Sequence, residues 1–153
     1  MAPSPARYGG EDLLGPKWHD DLAKVLRALG FADLSIGRLM EGHFNAVALV
    51  CRYGTPSQVE ALADAIADGA ISGVWGAEDS AGPRAEFEGQ SWRLTGRKIL
   101  ASGVGFVTRP VVTARAEAGQ VMLLPRLKRG ERADISGWTA QGMRSTATGS
   151  VDV

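Results

Sequence analysis

The chain has 153 residues, 44% of them hydrophobic and 22% charged, which suits one compact domain or two small sub-domains sharing an interface. Its 17 basic and 17 acidic side chains balance, so no strongly basic face is on offer to a nucleic acid or an anionic membrane surface. A single cysteine, Cys51, excludes an internal disulfide and, with no secretory signal at the N-terminus, points to a reducing, cytoplasmic location.

In chain order, residues 1–16 carry Pro3, Pro5, Gly9, Gly10, Gly15 and Pro16, a density of breakers that predicts a flexible arm. Residues 17–69 read as a partial helical domain. Leu22, Val25, Leu26 and Leu29 recur at helical spacing, with Gly30 placed as a C-cap and Asp20 and Asp21 as first-turn acids. A second helix is predicted from about Leu34 to Tyr53, ended by Gly54. Gly37 and Gly42 weaken its propensity and would let another backbone approach. The third helix has the clearest start: Thr55-Pro56-Ser57-Gln58 combines a capping box with proline at the first helical position, and Gly69 supplies the stop. His19 and His43 have no second His or Cys at ligand spacing, so no metal site is predicted, and no apolar run approaches the ~20 residues of a membrane helix.

Residues 70–153 shift to a period of two and read as a small antiparallel β-barrel or sandwich, giving an α+β chain. Phe87 to Trp92 places Gly89 in a hairpin turn. Val111 to Ala114 and Gln120 to Leu124 form a second strand pair, while Ser136-Gly137-Trp138 and Gly149 to Val153 suggest further strands. Val151-Asp152-Val153 reads as the middle of a strand, which would leave a poorly managed edge and predicts a β-domain truncated at its end.

Three stretches carry more than structure: Trp75-Gly76-Ala77-Glu78, Trp92-Arg93-Leu94-Thr95-Gly96-Arg97-Lys98 leading to Ala101-Ser102-Gly103, and Gly142-Met143-Arg144-Ser145-Thr146-Ala147-Thr148-Gly149 preceded by Trp138. In this order, after helices, they resemble the acyl-CoA dehydrogenase family over roughly residues 18–153. That range corresponds to the end of the family's N-terminal helical domain and most of its middle β-domain, without the C-terminal helical domain.

The resemblance implies a flavoprotein with FAD as cofactor. In its intact form it would carry out α,β-dehydrogenation of an acyl-CoA or related small-molecule thioester, as a homo-oligomer. The family's Thr-Glu-Pro-x-Ala-Gly-Ser segment, beside the flavin ring, falls on Ala77 to Pro83. Its Trp-Ile-Thr-Asn-Gly segment, whose Thr lies near the reactive nitrogen, falls on Ile99 to Gly103. The cofactor-binding residues implied are Trp75, Gly76, Ala77, Glu78, Ile99, Leu100, Ala101 and Ser102. Ala77 and Ala101 stand where the family has Thr, Ile99 where it has Trp, and Pro83 where it has a Ser that often meets the substrate. Ser102 could supply a compensating hydroxyl, as in related flavin monooxygenases, so that activity is a first alternative; a non-catalytic β-domain serving as a binding module is a second. The family's catalytic base lies outside this range, so no catalytic residue is assigned and Glu78 is not given that role.

Simpler readings stand beside these. Trp75 and Trp92 suit a β-domain core, and the resemblance moves only Trp75 toward the flavin edge. Arg97-Lys98 and the charged turn Lys128 to Arg132 read as solvated surface. His43 reads as a partly buried helix residue, and Cys51 as a small core hydrophobe.

Overall fold

A computed structural model describes residues 16–80, 82–139, 141–142 and 144–153. Most of the predicted arm, along with Ala81, Ala140 and Met143, lies outside these residues.

Three helices come first. Helix α1, Pro16–Ala32, begins at the last residue of the predicted arm, which puts Asp20 and Asp21 beyond its first turn. It also runs through Gly30, which is therefore not a C-cap. Gly30 lies against α2, Leu34–Tyr53: a Cβ added to Gly37 would stand 3.0 Å from the Gly30 Cα. The glycine pair thus serves close helix approach, and Asp33 makes the break by accepting hydrogen bonds from the Ser35 and Ile36 amides as the N-cap of α2. Gly42 similarly brings α2 across the backbone of Gly73, and the predicted stop at Gly54 holds.

Helix α3, Pro56–Ala67, has the expected capping box between Thr55 and Gln58. It ends with the Gly69 amide on the Ile66 carbonyl and the Ala70 amide on the Ala65 carbonyl, with Gly69 at φ +86°. Ala46 and Val50 of α2, Leu62 of α3 and Val111 of the sheet form one apolar cluster, so the helices share a core with the strands.

Eight strands follow: β1 Ile71–Trp75, β2 Arg84–Glu88, β3 Ser91–Thr95, β4 Arg97–Ala101, β5 Val107–Ala116, β6 Gly119–Leu123, β7 Ala133–Asp134 and β8 Gly149–Asp152. The hairpins β2–β3 and β5–β6 are antiparallel, as expected. However, β1 and β2 pair with β5 in parallel, making that sheet mixed. The long connection from Gly76 to Phe106 permits this, since parallel neighbours need a crossover of about a dozen residues or more.

The second sheet has the order β4-β8-β7. Strand β8 is therefore paired on both sides, and the exposed edge expected at Val151–Val153 does not exist. No strand forms at Ser136–Trp138: the Asp134 carboxylate accepts from both the amide and the hydroxyl of Ser136 and turns the chain instead. Between the sheets lie Trp75, Ala101, Val104, Val107, Val112, Val151 and Val153. Trp92, expected in the core, is 45% exposed, because β3 is an edge strand and its indole meets the cross-strand Phe87 ring on the outer face.

Candidate functional site

The two stretches predicted to line a flavin, 27 residues apart at the Trp75–Ser102 contact, are brought together. Strand β1 delivers Gly76-Ala77-Glu78 from its C-terminal end, and β4 delivers Ile99 to Ser102. The Ile99 amide donates to the Ala77 carbonyl at 3.2 Å, and the Trp75 indole N–H donates to the Ser102 carbonyl at 3.0 Å.

Lys98 completes the join. It is 0% exposed, contrary to the solvated role expected for it. Its ammonium donates to the Gly76 carbonyl at 3.2 Å, to Glu78 Oε2 at 2.9 Å and to Thr113 Oγ1 at 2.9 Å, so all three N–H bonds are used. A buried charge is tolerated only with such full pairing. Arg97, by contrast, is exposed and bonds Asp134 and Ser150.

The eight predicted residues divide into two groups. Trp75 and Ala101 lie in the core, at 2% and 1% exposure, and their side chains offer almost nothing to a ligand. Gly76, Ala77 and Leu100 are exposed, and Glu78, Ile99 and Ser102 partly so. The reason Ala101 turns inward is a register shift in the β4–β8 pairing between Lys98 and Ala101, with Leu100 at φ +51°. That bulge sends Lys98 and Ala101 to the same interior and leaves Leu100 62% exposed. Positive φ in a leucine is a strained conformation of the kind that collects at functional segments.

Behind Ser102 a chain of hydroxyls runs inward. Thr148 Oγ1 donates to Ser102 Oγ at 3.3 Å and lies 2.7 Å from the buried Thr146 Oγ1. These threonines belong to the third sequence stretch, so all three meet at one place; Met143 of that stretch lies outside the described residues. Gly103 fixes the corner at φ +74°, its amide donating to the Thr146 carbonyl at 2.8 Å.

The electrostatics fit a positioning role for Glu78. Hydrogen bonding and charge from Lys98, with Arg115 at 3.7 Å, hold its carboxyl below the ordinary carboxylate range despite some desolvation. A carboxylate kept ionised in this way is a poor proton acceptor. On α2, burial pushes His43 below the usual histidine range, and its Nδ1 accepts the Ser72 amide at 3.0 Å, so the neutral ring is a structural acceptor. Burial pushes the Cys51 thiol up, consistent with an inert side chain. Among the described residues no three His, Cys, Asp or Glu side chains gather to hold a metal, and no helix is long and apolar enough to cross a membrane.

Of the residues that wire this junction, Thr113 had no place in the sequence reading beyond its strand, and Lys98 was read there as solvated surface. Thr148 was within reach as part of the third stretch. The partners of Lys98 lie 15 to 22 positions away, and nothing local in the sequence marks them.

No known family profile matches the sequence, and no curated protein does. Solved structures do. Methanesulfinate monooxygenase MsuC from Pseudomonas fluorescens matches with a TM-score of 0.69 at 25% identity, over 97% of this chain and 40% of that one. TdsC from Paenibacillus sp. A11-2, in a complex with FMN and indole, matches with a TM-score of 0.72 at 24% identity, over 95% of this chain and 41% of that one. The fold is that of acyl-CoA dehydrogenase-like flavoenzymes. A nitrososynthase from Micromonospora carbonacea var. africana matches with a TM-score of 0.65 at 26% identity, over 97% of this chain and 41% of that one. The chain thus spans about two fifths of the length of each of these proteins.

Proposed function

We propose that this chain forms the flavin-lining half of a flavin-dependent monooxygenase, with FMN as the flavin and a small organic molecule as the substrate. The observation that carries the reading is the junction of Gly76–Glu78 with Ile99–Ser102 on an acyl-CoA dehydrogenase-like fold, in company with monooxygenases among its structural neighbours.

The residues suit a flavin. The Gly76 and Ala77 carbonyls are both taken up by β4, and among the described residues the Ala77 and Glu78 amides donate to no protein acceptor. This leaves an edge of N–H donors, complementary to the carbonyl oxygens and ring nitrogens of an isoalloxazine. Leu100 offers an apolar surface beside it, and Ser102 a hydroxyl. Because Ala101 faces the core, Ser102 is the residue that takes the place of the family's Thr near the reactive nitrogen. Bound and reduced, the flavin would supply the electrons that let dioxygen deliver one oxygen atom to substrate and the other to water. The protein's part is to orient the ring and shield it from bulk water.

Oxygenation is favoured over acyl-CoA dehydrogenation at Pro83. Where the family has a substrate-facing Ser, this chain has a fully buried proline whose Cα would lie 2.7 Å from a Cβ on Gly96. No hydroxyl is available there for a thioester substrate. FAD, the cofactor that the family resemblance implies, competes with FMN on the same donor edge, and homo-oligomeric assembly belongs to the same proposal.

The test is a titration with FMN and FAD followed by flavin fluorescence. The bound flavin is then reduced under anaerobic conditions and mixed with dioxygen. Tighter binding of FMN and rapid reoxidation by oxygen are expected. Anaerobic bleaching of the oxidised flavin by an acyl-CoA, with sluggish reoxidation, would return the assignment to a dehydrogenase.

A further inference from the structure

We infer that Lys98 is the positioning residue of the flavin edge: its buried ammonium pulls the Gly76 carbonyl and the Glu78 carboxylate inward so that the Ala77 and Glu78 amides face the ligand. The inference rests on the flavin reading above and assigns a cause to the shape of that site.

The geometry supports it in three ways. First, residues 76–78 follow β1 but belong to no strand, so no ladder fixes which way their peptide groups point. Second, what fixes them is β4: the Ile99 amide takes the Ala77 carbonyl, and Lys98 Nζ takes the Gly76 carbonyl and Glu78 Oε2. Third, Lys98 is itself held by Thr113 of β5, whose hydroxyl also lies 3.4 Å from the Gly76 carbonyl. One ammonium therefore ties β4 and β5 to the segment between β1 and β2.

The arrangement is expensive if it serves stability alone. A fully buried cation costs desolvation that a well-packed apolar side chain avoids, so a methionine at this depth would hold the sheets together at least as simply. An apolar side chain could not orient two oxygen atoms. The loop beyond Glu78 is fitted to the same carboxylate: a Cβ on Gly82 would fall 3.0 Å from the Glu78 carboxyl carbon. Gly82 itself sits at φ +47°, and its amide donates to Asp79 Oδ1 at 3.3 Å.

Two variants of the full chain test the role. Lys98→Met removes the ammonium with little change in volume. Thr113→Val replaces the hydroxyl with a methyl, which removes the acceptor that holds Lys98 and the hydroxyl's own 3.4 Å bond to the Gly76 carbonyl while leaving the Lys98 ammonium in place. Each is checked for folding by circular dichroism, then titrated with FMN, and the visible absorption band of the bound flavin is recorded, since that band reports hydrogen bonds to the ring. Amide hydrogen exchange at Ala77 and Glu78 is followed without flavin.

Lys98→Met is expected to weaken FMN binding by roughly tenfold or more and Thr113→Val by roughly threefold, the scale of one or a fraction of one hydrogen bond. Both should shift the flavin band and change the exchange rates at the two amides. A merely structural lysine would lower the melting temperature and leave the band and the affinity of the folded protein alone, and that result would overturn the inference. Should Lys98→Met fail to fold, Thr113→Val decides by the same criteria. A wild-type chain that binds neither FMN nor FAD overturns the flavin reading itself, an outcome distinct from wild-type binding that both variants retain.

Discussion

Gly103→Ala is the substitution whose cost follows most directly from the structure. Gly103 sits at φ +74°, in the left-handed region that costs an L-residue about 1–2 kcal/mol. An added Cβ would stand 2.8 Å from Leu39 Cδ2 on α2 and 2.9 Å from Val107 Cγ2 on β5. Both contacts are with side-chain ends, so they can yield, at an overpacking cost of about 1–3 kcal/mol. The expected loss is about 3 kcal/mol, or a melting temperature lower by roughly 9 °C for a chain of this size. Urea unfolding followed by circular dichroism should show the midpoint falling with an unchanged slope.

The two components can be separated, because Leu39→Ala opens space for the new methyl and does nothing for the backbone. A double-mutant cycle should therefore recover about 1 kcal/mol of the clash while the conformational cost persists. A loss under about 1 kcal/mol in the single variant would refute the reasoning, since it lies below the backbone cost alone.

Leu62→Ala, at 3% exposure in the cluster joining α2, α3 and β5, should cost about 2–5 kcal/mol in the same denaturation assay. Trp75→Phe keeps most of the ring but removes the N–H that holds the Ser102 carbonyl, for a loss of about 1 kcal/mol and faster exchange of the neighbouring amides. Acid should weaken the fold in two stages. His43 has a lowered folded pKa, so its contribution is complete above the ordinary histidine range and is lost as pH falls below it, when protonation ends the bond from the Ser72 amide. Glu78, also lowered, contributes above the ordinary carboxylate range and loses that contribution further down; a pH series on Glu78→Gln should lack the lower stage.

Local chemistry made much of the fold legible. The capping box at Thr55–Gln58, the Gly69 stop and the Gly89 hairpin each depend on residues within a few positions of one another, and each is where the sequence places it. Gly30 misled because the same residue type serves helix ends and close helix contacts, and only the position of Gly37 decides between them. Trp92 misled because an alternating strand does not say which of its faces is covered. The sequence named the two stretches that meet, 75–78 and 99–102, but not the bonds that join them. Lys98 and Ala101 are three residues apart, a spacing that should put them on opposite faces of a regular strand, and the bulge at Leu100 brings both inward. Nothing in the residues 97–101 announces that bulge.

Strand β8 gives the site a late position in the history of each molecule. Helices α2 and α3 and the hairpins close over short distances along the chain, whereas the Arg97–Ser150 bond beside the β4–β8 pairing joins residues 53 positions apart and Thr148 reaches Ser102 across 46. Contacts of that separation must meet a larger loop-closure entropy before they return anything, which places them among the last to form. The hydroxyl chain behind Ser102 therefore exists only after β8 has inserted between β4 and β7. Release of that one strand would undo it and would uncover Val107 and Val112 of β5, which pack against Val151 and Val153. A ligand that requires the finished arrangement binds the inserted state selectively, and so draws the chain through its final folding step by mass action.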